Sequence, residues 1–522
     1  MIHSSREAAP EIPHEDVTSY VLGGDRENGE WAALIDGPSG RTVTYGGLEE
    51  SVRGLAAGLA GKGIGKGDVV AMYLPNLPEY AVIFHAVCSA GAINTTANPL
   101  YTPGELSYQL RNSGATMLVT IPQFLDTARE AARQTGVREL VVVGEAKGVT
   151  SLSAQIAGDA EPLEVAIDPD RDLAVLPYSS GTTGLPKGVM LTHRNLVANM
   201  IQAQSRLGVS PSDVLVGVLP FFHIYGMTVI MNLALRHGAT VVTMPRFDLV
   251  EFLELIERHR VTHAYVVPPI ALALAKHPAV DGADLSSLRL VMSGAAPLGA
   301  ELAGKVRDRL GCAVMQGYGL TETSPVTHTN PTDPTRVKAG TIGPPVPGTE
   351  CRLVDPETGR DVESGQRGEL WIRGPQVMRG YLDDPAATAA TIDEGGWLHT
   401  GDVAEVDSDG YFTIVDRLKE LIKYKGFQVP PAELESLIIT HPAVEDVAVI
   451  GAPDEEAGEL PKAFVVCDEG VSDEELLEFV AERVAPHKRV RLIERVEEIP
   501  KSPSGKILRR LLAERQAQPE SV

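Results

Sequence analysis

A chain of 522 residues is too long for one hydrophobic core, so two or more domains are expected. Its apolar share of 43% and charged share of 22% belong to a globular protein rather than a disordered or fibrous one. A net charge of −24 argues against nucleic acid or an anionic membrane as a partner, and any anionic substrate must be held by local cations against a repelling global field.

Four scattered cysteines, Cys88, Cys312, Cys351 and Cys467, form no CxxC pair, which fits a reducing compartment and no structural zinc. The N-terminal stretch has no apolar signal-peptide core. The longest apolar run, Ala81 to Ile93, is interrupted by His85 and Ser89 and is too short to span a bilayer. The chain ends Pro519-Glu-Ser-Val522, without a Ser-Lys-Leu peroxisomal address. The expectation is a cytoplasmic protein with no integral membrane segment.

Residues 1–40 read as polar and irregular, apart from an apolar patch at Trp31-Ala-Ala-Leu-Ile35. Thr44 then reads as a helix N-cap, with Leu48, Val52, Leu55 and Leu59 forming one apolar helical face. Val69 to Leu74 reads as a strand and Glu79 to Gly91 as a helix. The alternation continues through strands at Met117, Leu140, Val214, Thr240, Ala264 and Leu288, which argues for parallel α/β layers.

Within this pattern, Asp172 to Leu176 and Gly188 to Leu191 read as short buried strands flanking a loop of unusual chemistry. Ser179, Ser180, Thr182 and Thr183 supply hydroxyls, Gly181, Gly184 and Gly188 free the backbone, and Lys187 supplies a cation. Glycines allow close approach of backbone N–H groups to an anion, and hydroxyls and a lysine add donors and charge. This is the chemistry that holds a triphosphate. It is not a Walker A loop: Pro186 stands where its second glycine belongs, and Gly188 follows the lysine.

Near residue 336 short alternating runs take over, and Asp409-Gly410 between two of them signals a hairpin. A β-rich subdomain is expected over 336–416, closing a large unit of 1–416. From Arg417 a second α/β unit begins, with a helix over Pro430 to Thr440, strands at Val447 and Ala463, and a helix from Ser472 to Val484. Asp473, Glu474 and Glu475 in its first turn suit the helix dipole. Lys423 and Lys425, two apart in a strand-like setting, would share a face. Pro500 to Arg510 places Lys506 beside Gly505, and Arg509 and Arg510 read as a basic tail.

The stretch Tyr178 to His193 resembles the signature loop of the adenylate-forming superfamily of acyl-CoA synthetases, adenylation domains and luciferases. Gln316-Gly-Tyr-Gly-Leu-Thr-Glu322, Trp397-Leu-His-Thr-Gly-Asp402, Arg417 to Val429 and Pro500 to Arg510 extend the similarity over nearly the whole chain, with the nearest likeness to 4-coumarate:CoA ligases. The resemblance implies a large N-terminal domain of layered α/β sheets with a small β-barrel-like subdomain, and a smaller mobile α+β C-terminal domain over 417–522. It implies ATP and CoA as co-substrates and Mg²⁺ as cofactor.

By that resemblance, Ser179, Ser180, Gly181, Thr182, Thr183, Gly184 and Lys187 hold the phosphates, with Gln316, Gly317 and Tyr318 at the adenine. Thr321 contacts the α-phosphate, Glu322 ligates Mg²⁺, and Asp402 with Arg417 takes the ribose hydroxyls. Lys419 is the hinge. Lys425, Gly426 and Arg246 serve CoA, while Lys423 and Gln428 contact the adenylate during thioester formation. Lys506 is the adenylation lysine, a cation between two anions that must meet. His223, Tyr225, Ala295, Gly317, Gly319, Pro325 and Val326 surround the acyl group, the small residues leaving a slot. The chain departs from plant coumarate ligases at Arg246, commonly a lysine there, and at Thr327-His-Thr329, where they carry a more apolar run.

The implied reaction joins a small-molecule carboxylic acid to CoA through an acyl adenylate. Cinnamate-type acids lead and medium- or long-chain fatty acids follow. A stand-alone enzyme loading a carrier protein, a non-catalytic nucleotide-binding protein and a luciferase-type oxidase stay open, as does oligomeric state.

Overall fold

The structure, a computed structural model, describes residues 1–23, 29–156, 163–179, 185–363, 365–425, 427–454, 456–468, 470–502 and 505–517. Four sheets organise it. Two have eight strands, one is a five-stranded half-barrel, and the last is a five-stranded sheet near the C-terminus.

The first eight-stranded sheet grows from Val69–Met72, paired in parallel with Ile93–Thr96 and Ala115–Thr120. Helix Tyr45–Gly61 starts where Thr44 accepts a hydrogen bond from the Gly47 amide at 3.1 Å. Leu48, Val52, Leu55 and Leu59 on its inner face are all buried, each contributing roughly 1.5–3 kcal/mol of transfer free energy. The parallel pattern changes at one edge. Lys187–Thr192 runs antiparallel to Leu173–Ser179, and Gly380–Tyr381 runs antiparallel beside it.

The second eight-stranded sheet is built the same way. Strands Val214–Gly217, Thr240–Thr243, His263–Val266, Leu290–Ser293 and Ala313–Gly319 are parallel, and Val326–Thr329 closes that end antiparallel. Each sheet therefore ends in an antiparallel edge, and the half-barrel meets that of the second, where the His328 ring lies 4.8 Å from Phe412.

The half-barrel comprises His3–Ser4, Glu350–Val354, Gly368–Arg373, Leu398–Val406 and Phe412–Arg417, all antiparallel. The expected hairpin is present, with Gly410 at φ +86°, a backbone only glycine adopts readily. The N-terminal stretch departs from its irregular reading. His3 pairs with Cys351, and Ala32–Asp36 lies parallel to Thr240–Thr243. These partners lie more than two hundred residues away, beyond any local pattern.

The C-terminal sheet is ordered Phe427–Val429, Ile422–Tyr424, Gly458–Cys467, Val444–Asp454, with Leu492–Arg495 also pairing Gly458–Cys467. Helix Pro431–Ile438 and helix Asp473–Ala481, capped by Ser472, cover it over a core of its own that includes Val429, Leu434, Val447, Val465 and Leu476. Among the described residues, no helix is long and apolar enough to cross a membrane.

Candidate active site

Strand alternation builds the cleft. In Ala313–Gly319, Tyr318 pairs across to His328 while Gly317 pairs to Thr329, so tyrosine and glycines point to opposite faces. Tyr318 faces the half-barrel, where its hydroxyl donates to Asp402 Oδ2 at 2.5 Å. Asp402 lies directly across from Arg417 on the neighbouring strand, with Arg417 Nε 3.6 Å from Asp402 Oδ1. Burial pushes the Asp402 carboxyl above its ordinary range, opposed by Arg417, the Tyr318 hydroxyl and Lys506.

The departure Thr327-His-Thr329 resolves on the same alternation. His328 is fully buried on the half-barrel side, its ring 4.8 Å from Phe412 and 5.9 Å from Tyr318. It packs behind Tyr318, and burial lowers its basicity to a pKa of about 3, so it is neutral there.

The opposite wall comes from the edge of the first sheet. Ser179 and Lys187 are cross-strand partners at the mouth of the loop, and the Lys187 ammonium lies 5.2 Å from the centroid of the Tyr381 ring. The Tyr381 hydroxyl donates to Glu322 Oε1 at 2.8 Å. Glu322 sits in a short turn four residues beyond Tyr318. Lys187, Tyr381 and Glu322 thus form one chain of contacts and Tyr318, Asp402 and Arg417 another, joined by the short segment 318–322. Ser180, Gly181, Thr182, Thr183, Gly184 and Gly426 lie outside the described residues.

Lys506 reaches the large unit from the C-terminal unit. Its charge acts on both Asp402 and His223. A side chain on the preceding Gly505, at φ +76°, would meet Val267 at 3.0 Å and Pro269 at 3.4 Å, so the loop is pressed against the second sheet. Burial, then the neighbouring Arg417, lowers the Lys506 ammonium to a pKa of about 8, with Glu420 and Asp402 opposing.

His223 and Thr321 line a small cavity of ≈ 30 Å³ together with Thr96, Pro177, Tyr178 and Phe222. Burial and the charge of Lys506 lower His223 to about 4, and its Nδ1 accepts from the Tyr225 amide at 3.3 Å. It is therefore a neutral imidazole with Nε2–H as its donor. Tyr225 is buried, its hydroxyl donating to the Met292 carbonyl at 3.4 Å. The glycines here serve close packing: a Cβ on Gly317 would meet Met292 Cε at 2.4 Å, and one on Gly319 the Pro325 carbonyl at 2.0 Å. Val326 and Pro325 are buried, and Ala295 is exposed at φ +67°. The Gln316 amide is engaged at both ends by backbone, accepting from Leu298 N–H and donating to the Thr341 carbonyl.

Other predicted residues lie apart from the cleft. Lys423 and Gln428 are cross-strand partners on an exposed hairpin. Lys425 is not in the strand with Lys423, as the sequence suggested, but in the turn beyond it at φ +48°. The hairpin's partners belong to its own unit: Lys423 N–H donates to Glu459, the Lys425 ammonium pairs with Glu456 at 3.0 Å, and Phe427 stacks on His487. Arg246 is exposed on the loop after Thr240–Thr243. Lys419 occupies the turn after Arg417, where Glu420 N–H bonds the Arg417 carbonyl at 3.0 Å.

Arg509 overturns its reading as a basic tail. It is largely buried, its Nη2 donating to both Glu435 oxygens at 2.7 Å, its Nη1 2.9 Å from Glu420, and its Nε donating to the Val449 carbonyl. Arg510 does stay on the surface, paired with Glu514 at i+4. Four further residues escaped the sequence reading. Tyr381 joins Lys187 to Glu322, and Glu420 stands between Arg417 and Arg509. Gly294 seats the Tyr225 ring, 2.9 Å from where its Cβ would stand. The buried Asn76 amide donates to the Gly217 and Leu219 carbonyls at 2.8 Å and accepts from Phe221 N–H at 2.7 Å, fixing the turn that leads to His223. The Asn-Leu-Pro turn chemistry at 76–78 is the only local signal any of them gives.

Residues 25–382 match the family of AMP-binding enzymes, and residues 433–506 the AMP-binding enzyme C-terminal domain. The chain is 47% identical over 508 residues to 4-coumarate–CoA ligase 5 of Oryza sativa subsp. japonica, covering 95% of this chain and 94% of that one. It is 44% identical to 4-coumarate–CoA ligase of Pinus taeda, covering 99% and 98%. Among solved structures, ATP-bound MatB of Rhodopseudomonas palustris superposes with a TM-score of 0.87 at 31% identity, covering 96% of this chain and 99% of that one. The anthranilate CoA ligase AuaEII in complex with anthranoyl-AMP superposes at 0.90 with 29% identity, covering 96% and 97%.

Proposed function

We propose a specific reaction for a chain that belongs to the family of AMP-binding enzymes. It is an ATP-dependent, AMP-forming acid–CoA ligase, as its full-length likeness to named CoA ligases supports. In the first step a carboxylate oxygen of the acid attacks the α-phosphorus of ATP and pyrophosphate leaves. In the second the sulfur of CoA attacks the acyl carbon, AMP leaves with the bonding electron pair, and the thiol proton passes to water.

The observation that supports this reading is that the charge of Lys506 reaches both Asp402 and His223, while Tyr381 joins Lys187 to Glu322. Lys506 offsets the repulsion between two anions brought together in a desolvated site. Asp402, oriented by Tyr318 and Arg417, accepts from ribose hydroxyls, and Tyr318 lies against the adenine. The 179–187 loop and Thr321 hold the phosphates. Lys423, Lys425, Gly426 and Gln428 serve the second step, with Arg246 toward CoA, and the unit carrying them turns about Lys419 between steps.

Mg²⁺ fits Glu322. This cation takes one or two carboxylates together with phosphate oxygens, and Glu322 is a half-buried carboxylate that accepts a hydrogen bond from the neutral Tyr381 hydroxyl. When bound, the ion would neutralise charge on the transferring phosphates. Among the described residues the one cluster with three potential ligands, His14, Asp168 and Asp170, lies at the far end of the strand that leads into the phosphate loop.

The acid we assign is an aromatic one of the 4-coumarate or cinnamate type, on the names of the relatives and on Tyr225 and Phe222 beside His223. The compartment we assign is the cytoplasm, where four free cysteines are expected. A panel of cinnamate-type acids and C6–C16 fatty acids, with ATP and CoA and with AMP release as readout, tests the assignment. Highest kcat/KM on a fatty acid overturns the substrate class, and AMP release without CoA dependence overturns the acceptor.

A further inference from the structure

Helix Pro431–Ile438 is held at both ends by side chains from outside the C-terminal unit. At its start, the buried Asp416 carboxylate accepts from the Ala432 amide at 2.9 Å through Oδ2, while Oδ1 accepts from Arg417 N–H at 2.7 Å. At its end, the Lys276 ammonium, on helix Pro268–Lys276 of the large unit, donates to the Ile439 carbonyl at 3.3 Å and the Val444 carbonyl at 2.9 Å. The signs match the helix dipole: a carboxylate at the end of free amides, an ammonium at the end of free carbonyls. Both contacts cross the Lys419 turn, so both break if the C-terminal unit rotates about it.

The helix is also tied to Lys506. Glu435, on its inner face, grips Arg509 with two 2.7 Å hydrogen bonds, and Arg509 follows Lys506 by three residues. The position of the helix therefore sets the position of the lysine. We propose that Asp416 and Lys276 form a two-ended clamp on helix Pro431–Ile438 that selects the orientation with Lys506 in the nucleotide cleft, making both positioning residues for acyl-adenylate formation and not for thioester formation. The proposal rests on the two-step reading above.

The test measures the two half-reactions separately on the full chain: acid-dependent ATP–pyrophosphate exchange, and thioester formation from synthetic acyl adenylate and CoA. In Lys276→Ala and in Asp416→Asn the ratio of exchange to thioester formation should fall about tenfold, the scale of losing a hydrogen bond to a charged group. Lys276→Arg should hold the wild-type ratio. Lys276 is at the surface, so its variants test the clamp even if Asp416→Asn fails to fold. Equal loss of both half-reactions, or an unchanged ratio in Lys276→Ala, overturns the clamp. A wild-type chain that performs neither half-reaction overturns the reaction itself.

Discussion

The C-terminal unit presents two cationic faces that differ in every electrostatic respect. Lys506 is half-buried, and that burial lowers its basicity to about 8. Lys425 is exposed, and its pairing with Glu456 raises its basicity instead. One cation is desolvated and aimed at the site; the other is solvated and held by its own unit. On the proposed two-step reaction, this contrast would separate the two halves: Lys506 for the first step and the Lys425 face for the second.

The largest expected effect breaks that contrast directly. Lys506→Ala should slow acyl-adenylate formation by roughly 10²-fold or more, on the scale of losing a preorganised charge stabiliser. Thioester formation from supplied acyl adenylate should be spared. Lys423→Ala should do the reverse, slowing the thioester step and sparing pyrophosphate exchange. Two variants losing both half-reactions equally would mean that one face serves both.

The contrast was only half legible in the sequence. Helix Tyr45–Gly61 could be read because its cap and its apolar face lie within one stretch. Lys187, Glu322, Asp402 and Lys506 could be singled out as candidates because each sits in a dense motif. Arg509 was misread because its meaning lies in Glu420 and Glu435, more than seventy residues upstream, which local charge patterning does not reach. Tyr381 was invisible for a related reason: it is a lone aromatic on a two-residue edge strand, and only the pairing of that strand with Lys187–Thr192 brings it under the lysine. The N-terminal strands were missed because a two-residue pairing with Cys351 leaves no periodicity to read.

A smaller effect sharpens the comparison on the acid side. A Cβ at residue 294 would stand 2.9 Å from Tyr225 Cε1 and 3.2 Å from its Cζ. The buried ring has to shift, and overpacking of this kind costs about 1–3 kcal/mol. Gly294→Ala should raise KM for the acid by roughly tenfold, which corresponds to about 1.4 kcal/mol, while KM for ATP stays unchanged. A rise in both constants would mean that Tyr225 supports the cleft as a whole and not the acid alone.

The smallest effect is one of pH, and it isolates the buried face. The role proposed for Lys506 requires its cation, and its pKa is lowered to about 8, mainly by burial. The cation is present below that value and is lost as pH rises through it. Exposed Lys425, shifted upward, keeps its charge over the same range. Because kcat/KM reports the free enzyme, kcat/KM for ATP in pyrophosphate exchange should fall to about half near pH 8, whereas thioester formation from acyl adenylate should show no such limb. In Lys506→Arg the guanidinium stays charged throughout, so whatever exchange activity that variant retains should lose the alkaline limb. If the limb persists in Lys506→Arg, another group sets it, and the pKa difference between the two faces has no part in separating the steps.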